Sequence, residues 1–201
     1  MTIRRGEDWG VRGPLVDGAS AVSTDAELAA LVAAARGVGL REAGLVGGDL
    51  CRTVAGRGDR DRLRTTEARR LPIDVGTVAL DGGAPRVFVA HVIAGRRLRG
   101  PVMAAMNAQF YGRWDVAPRA HPNDGRLDVL EAQLRAGDRW KAWRRLPRGA
   151  HVPHPGLAER RITEGEVTLG HAVPVRIDGR PAGRATTLQF RCVADALTVV
   201  I

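Results

Sequence analysis

The stretch PIDVGTVALDGGAPRVFVAHVIA, residues 72–94, sets the fold class of this chain. Two runs rich in Val, Ile, Thr and Phe flank Asp81-Gly82-Gly83, and β-branched runs around such turn formers read as a β-hairpin. The same style continues downstream in PVMAAMNAQF (101–110) and RLDVLEAQL (126–134). EVTLG (166–170), VPVRIDG (173–179), TLQFRCV (187–193) and DALTVVI (195–201) then supply closely spaced strands to the end. A short amphipathic helix, DRWKAWRRL (138–146), interrupts them. Residues 71–201 therefore read as mostly antiparallel β in a sandwich-like layer.

Upstream of residue 71 the periodicity changes. In STDAELAALVAAARG (23–37), Thr24 and Glu27 stand at capping-box spacing. Leu28, Leu31, Val32 and Ala35 make one apolar helix face, and Gly37 is a natural stop. AGLVGG (43–48) reads as a strand ending in a glycine turn. DLCRTVAG (49–56) reads as a short helix with Asp49 as its N-cap. RDRLRTTEARR (60–70) reads as a polar, helical connection. The chain is thus expected to be α+β, with a truncated α/β part over 1–70 and a β-sandwich over 71–201.

A chain of 201 residues can bury about 70% of its unfolded surface without staples. Its net charge of +9 favours anionic partners, namely phosphates, acidic lipid surfaces or nucleic acid. The arginines are spread from Arg4 to Arg191, and Lys141 is the only lysine; that dispersion argues against a dedicated nucleic-acid stripe. Cys51 and Cys192 lack CxxC spacing, so a reduced pair is expected rather than a zinc site or a disulfide. The N-terminal MTIRRGEDWG has no apolar run after its arginines, unlike a secretory signal. LAALVAAA (28–35) is too short to span a bilayer. A soluble, cytoplasmic protein is expected.

Several pieces occur in an order that carries a resemblance: GGDLCRTVAG (47–56), PIDVGTV (72–78), MNAQFYGRWDVAPRAHPNDGRLDVLEAQL (106–134), RGAHVPHP (148–155), VRIDGRPAG (175–183) and DALTVVI (195–201). Together they resemble the diacylglycerol kinase family of bacterial lipid kinases over roughly 43–201. The resemblance implies an N-terminal α/β domain that binds ATP through a Gly-Gly-Asp-Gly-Thr loop. It also implies a C-terminal β-sandwich that supplies the lipid side and the catalytic base, with the γ-phosphate passing to a lipid hydroxyl. Gly47, Gly48, Asp49 and Arg52 match the family's second nucleotide-side loop, Gly-Thr-Gly-Asn-Asp-x-Ala-Arg. Family members hold a structural magnesium beside an Asp-Gly loop. Here that loop is HPNDGRLDV (121–129), with the Asp124 carboxylate and the carbonyls of His121 and Arg126 at matching offsets. A plain Asn-Asp-Gly hairpin turn is the alternative there.

Two departures bear on activity. The segment that would carry the glycine-rich loop is expected to be missing, which leaves ATP poorly positioned, and positioning is much of what phosphoryl transfer requires. The family places a glutamate base after Asp-Gly; here that place holds Arg180, a permanent cation that cannot take a proton. Asp178 beside it is the substitute base, or else a turn residue. Arg180 itself reads as a phosphate partner or an exposed hairpin arginine.

Other positions are weaker candidates. His151 and His154 in HVPHP lack a third metal ligand nearby. His91 alternates within a β run, as a core or rim residue. Trp140 and Trp143 lie beside Arg144 and Arg145, either as a membrane-interface face or, as favoured here, packed onto the sandwich. The expected function is a catalytically impaired lipid-kinase relative that binds a lipid, a nucleotide or a partner protein, as a homodimer or with a second chain. An active kinase, with a partner chain supplying the ATP loop, is the alternative. A basic nucleic-acid-binding module is the third.

Overall fold

A computed structural model describes residues 9–35, 41–96, 99–134, 136–149 and 156–201. Two short strands, β1 (Val11–Arg12) and β2 (Ala21–Val22), precede helix α1 (Asp25–Ala34). The capping box is present: Thr24 Oγ1 accepts from Glu27 N, and the Glu27 carboxylate accepts from Thr24 N. β3 (Glu42–Leu45) and α2 (Gly48–Thr53) follow. The N-cap of α2 is Gly47, which offers no side chain. Asp49, expected as the cap, lies inside the first turn with its carboxylate turned elsewhere. Over 60–70 the expected helix is replaced by one 3-10 turn, Arg62–Arg64, and a strand begins at Arg69. Only Leu63 and Ala68 of that stretch are buried, against Val200, and two apolar contacts do not make the continuous face that sustains a longer helix. Gly37, His151 and His154 lie outside the described residues.

The sandwich part begins with β4 (Arg69–Leu80), β5 (Arg86–Phe88), β6 (His91–Arg96) and β7 (Arg99–Met106). A separate two-stranded hairpin, β8 (Phe110–Tyr111) with β9 (Trp114–Asp115), follows. Next come β10 (Leu127–Ala132), α3 (Ala136–Arg145) and β11 (Leu157–Ile162), then two long strands, β12 (Glu164–Ile177) and β13 (Arg180–Val200). Four segments expected as separate strands are therefore two. β12 joins EVTLG to VPVRIDG through an irregular stretch between Thr168 and Val173, and β13 joins TLQFRCV to DALTVVI through one between Val193 and Leu197. Asp195, with φ of 51°, marks the second, as bulges do where a long strand bends.

Among the described residues eleven strands form one sheet, in the order β1-β4-β13-β12-β6-β7-β10-β11, with β5 on β4 and β3 on the far end of β13. Every pairing is antiparallel except β2–β3 and β3–β13. The bends bring the sheet's inner faces together over one apolar core, where Phe88 meets Phe190 edge to face at 6.4 Å beside Met103, Leu127, Val175 and Leu188. A second core lies under α1 and α2, with Leu28, Leu45, Leu50, Ile73 and Val199. β1 and β3 extend the sheet from residues before 71, and buried Glu42 ties Val16 N and Arg70 together. Both cysteines are free. No described helix is long and apolar enough to cross a membrane.

Gly76 pairs across strands with Phe88, and a Cβ there would fall inside the Phe88 ring. That ring is fully buried. Gly76→Ala is therefore expected to cost about 1–3 kcal/mol, the usual penalty of overpacking, read as a lower urea midpoint at unchanged slope.

Candidate functional site

Two parallel strands, β2 and β3, each run directly into a helix, so both strand-to-helix turns open at the same end of the α/β part. The first turn carries Asp25, the second Asp49. Because Gly47 cannot cap α2, Asp25 does so from the neighbouring turn: its carboxylate accepts from Asp49 N at 2.7 Å and Leu50 N at 3.1 Å. Gly48, at φ of 93°, packs against that carboxylate, where a Cβ would collide with it. Burial pushes the Asp25 carboxyl up to about 6, against the pull of those two N–H donors. Sequence reasoning missed Asp25, because β2 is only two residues long and shows no period. The α/β part thus holds two such turns where one was expected. The first, Ser23-Thr24-Asp25-Ala26-Glu27, keeps an aspartate in third place but none of the three glycines of Gly-Gly-Asp-Gly-Thr.

Asp49 faces the sandwich. Its carboxylate accepts from Gly112 N at 2.9 and 3.0 Å and lies 2.9 Å from His91 Nε2. His91 is 1% exposed, and its ring stands edge-on to Tyr111 at 4.8 Å. Burial pulls the imidazole downward, but the Asp49 hydrogen bond and the charges of Asp178, Asp49 and Asp25 outweigh it, so its pKa is raised. That shift favours the charged form of the ring beside the Asp49 carboxylate. Arg52, on the same turn, donates to Gly112 O at 2.8 Å and lies 3.8 Å above the Phe110 ring. It braces the β8–β9 hairpin rather than opening toward a ligand.

The β12–β13 hairpin closes the other side. Asp178 and Gly179, both at positive φ (44° and 79°), make the two-residue turn between paired Ile177 and Arg180, and that turn type suits an Asp-Gly pair. The Asp178 side chain points inward. It accepts from Val89, Ala90 and His91 N, each at 2.9 Å, while its own N–H donates to His91 O. Burial raises its pKa, opposed by the His91 charge and the three donors. Arg180 is exposed at the turn's exit, close enough to Glu27 for its charge to be felt there.

Asp25, Asp49, His91 and Asp178 meet in one cleft of about 390 Å³, with Tyr111 and Trp114 on its wall. One ligand atom from each of Asp25, Asp49 and His91 lies within 4.8 Å of the others. These are the described residues best placed to hold a cation.

None of His121, Asp124 and Arg126 lines this cleft. Asp124 takes the Arg126 N–H at 3.0 Å on one oxygen and the Arg161 guanidinium on the other. His121 lies against Trp9, ring centres 4.9 Å apart and planes tilted by 56°, and accepts from Asn123 N. Both oxygens of the Asp124 carboxylate thus have a partner, one of them a cation. Buried Asp74 secures the loop, accepting from Gly125 N and Asp195 N. Asp128, 1% exposed, has no hydrogen-bond donor on either oxygen among the described residues. Arg161 Nε approaches it at 3.4 Å, but that guanidinium is shared with Asp124. Burial, helped by the Glu159 charge and opposed by Arg119, pushes Asp128 up to about 7.

Two predictions follow from these contacts. Asp178→Ala orphans three buried N–H groups and is expected to cost about 2–4 kcal/mol, whereas exposed Arg180→Ala is expected to stay within about 0.5 kcal/mol; urea unfolding of the two variants compares them. Asp128 has a folded pKa above its unfolded one, so its favourable contribution is complete below about pH 4 and is lost as pH rises toward 7. Asp128→Asn is expected to flatten that part of the decline in Tm. An unchanged slope in the variant shows that Arg161 already neutralises the carboxylate.

Comparison with known proteins agrees with this architecture. Three solved structures from Bacillus anthracis str. Sterne, each named for a diacylglycerol kinase, match with TM-scores of 0.61, 0.60 and 0.59 at 11%, 12% and 13% identity. Each match covers 79% of this chain and 69%, 68% and 66% of theirs; at such identity the likeness is one of fold. No curated protein matches the chain. The model of the YegS C-terminal NAD kinase beta sandwich-like domain matches residues 63–201, the span that supplies the long bent strands, the Asp178 turn and His91. The chain belongs to that family, the C-terminal β-sandwich domain of the lipid kinases.

Proposed function

We propose that this protein is a lipid-kinase relative that binds a phosphate-bearing ligand, lipid or nucleotide, in the cleft between Asp25, Asp49 and Asp178, without transferring the phosphoryl group. One observation carries this reading. The residue after the Asp178-Gly179 turn is a cation, and each cleft carboxylate is already held by backbone N–H groups. A general base must reach the proton that it removes and have a free lone pair to take it. Asp178 faces inward onto three donors, and His91 Nε2 is engaged by the Asp49 carboxylate. Losing the base costs about 10²–10⁴ in rate. Arg180, exposed at the cleft's edge, is suited to pair with a phosphate oxygen. A divalent ion bound with a nucleotide would fall to Asp25, Asp49 and His91 and would neutralise phosphate charge.

A second reading has its own support. The Ser23–Glu27 turn puts an aspartate opposite Asp49, and the Asp25 carboxyl is raised to about 6, within the range of a working base. On that reading the chain is an ATP-dependent lipid kinase that uses this turn in place of the glycine-rich loop.

The test is ATP-dependent phosphorylation of diacylglycerol in mixed micelles with magnesium, for wild type and Arg180→Glu together. The expected result is a silent wild type. Activity confined to Arg180→Glu means that the ATP site works and the cation alone blocks transfer. Turnover by wild type overturns the binding-only reading, and Asp25→Asn then tests the second one.

A further inference from the structure

Helix α3 lies in the connection between β10 and β11, and the sandwich leaves one of its sides open. Trp140 is 55% exposed, the one aromatic among the large apolar side chains left in water among the described residues. The expectation that it packs onto the sandwich is therefore not met; the Trp143 side chain lies outside the described residues. Lys141, Arg144 and Arg145 are exposed too. At 100° per residue, these three and Trp140 fall on one strip of the helix. The Arg144 guanidinium lies 4.7 Å above the Trp140 ring. The only acid in the helix, Asp138, pairs loosely with Lys141 at 3.4 Å. This strip couples an amphipathic ring to a band of cations.

The helix is also tied to the cleft. After α3 the chain makes a 3-10 turn, Leu146–Arg148, and comes back against the β9 side. The fit is tight at Gly149, where a Cβ would meet Pro118 at 2.8 Å and the Asp115 carboxylate at 2.9 Å. Asp115 neighbours Trp114, which lines the cleft. The end of α3 is thereby held beside the hairpin that carries Trp114 of the cleft wall.

We propose that α3 docks this protein on an anionic bilayer surface, with Trp140 at headgroup depth and Lys141, Arg144 and Arg145 against the acidic headgroups. Indole rings favour the interface because one part is apolar and the N–H stays wet. Clustered cations next to such a ring are the pattern of a helix that lies in the interface plane. Charge complementarity favours an anionic membrane over a neutral one, and the single exposed ring limits the apolar share, so binding depends on salt. The proposal rests on the lipid reading of the cleft for its purpose but not for its evidence. Docking and turnover are separate observables.

The test is co-sedimentation of the full chain with phosphatidylcholine vesicles, alone or containing about 30% phosphatidylglycerol, a share that gives a strongly negative surface. It is run at low and high salt, and circular dichroism checks each variant's fold. Wild type is expected to bind the anionic vesicles only, to release at high salt, and to show a blue-shifted tryptophan emission when bound. Removing Lys141, Arg144 and Arg145 together as alanines is expected to weaken binding on the order of tenfold to hundredfold. Trp140→Ala is expected to weaken it less and to lose most of the blue shift. A charge-matched control replaces exposed Arg12, Arg57 and Arg64 and is expected to bind nearly as wild type does. Three results overturn the proposal: no binding by the folded wild type, equal binding to neutral vesicles, or a control that loses as much as the α3 triple variant. A kinase assay that is silent while vesicle binding persists removes only the second reading of function.

Discussion

The Asp178 carboxylate organises this molecule. It sits at the tip of the β12–β13 hairpin, yet its bonds go to the bend between β5 and β6, at residues 89–91. Three buried N–H groups there have left the strand ladder, and orphaned donors of that kind are costly. One carboxylate satisfies all three and so fixes where His91 leaves the bend. His91 in turn holds Asp49, and Asp49 holds the Gly112 turn of β8–β9. The two cores, the hairpin and the α/β part are linked through this chain of side chains, and the cleft is the space that they enclose.

The α/β part contributes by a similar exchange. A glycine stands at the start of α2, so that helix cannot cap itself, and Asp25 from the previous turn takes over. This requires the two strand-to-helix turns to lie side by side, which the parallel β2–β3 pair provides. The arrangement concentrates three carboxylates and one imidazole in a small volume. Burial raises Asp25 and Asp178, while the His91 charge opposes that rise. Perturbed titratable groups gathered in one cleft are typical of sites that handle charge.

Away from the cleft, a guanidinium gathers the acidic loop. Arg161 reaches from β11 to Asp124 and toward Asp128, while Asp74 secures the same loop through Gly125 and Asp195. The loop is thus cross-linked to β4, β11 and the bend of β13 by side chains of this chain alone. This internal cation takes up one oxygen of the Asp124 carboxylate, and the Arg126 N–H takes the other.

Local signals carried much of the architecture. The β-branched runs after Leu71, the Asp81 and Asp178 turns and the Thr24/Glu27 capping box depend on neighbours within a few residues, so they are legible in a linear string. The position of Arg180 at the exit of its turn was legible for the same reason. What the string does not carry is which distant groups a side chain meets. Asp49 looks like a cap and is instead a partner of His91; Asp124 looks like a metal ligand and meets Arg161 from 37 residues away. Asp25 gave no signal, because its role exists only once two strands lie parallel. The sequence by itself determined the β-rich class, the turns and the family pattern. Only the tertiary structure decided which carboxylates share a cleft, because buried charge is settled by partners brought together across the fold.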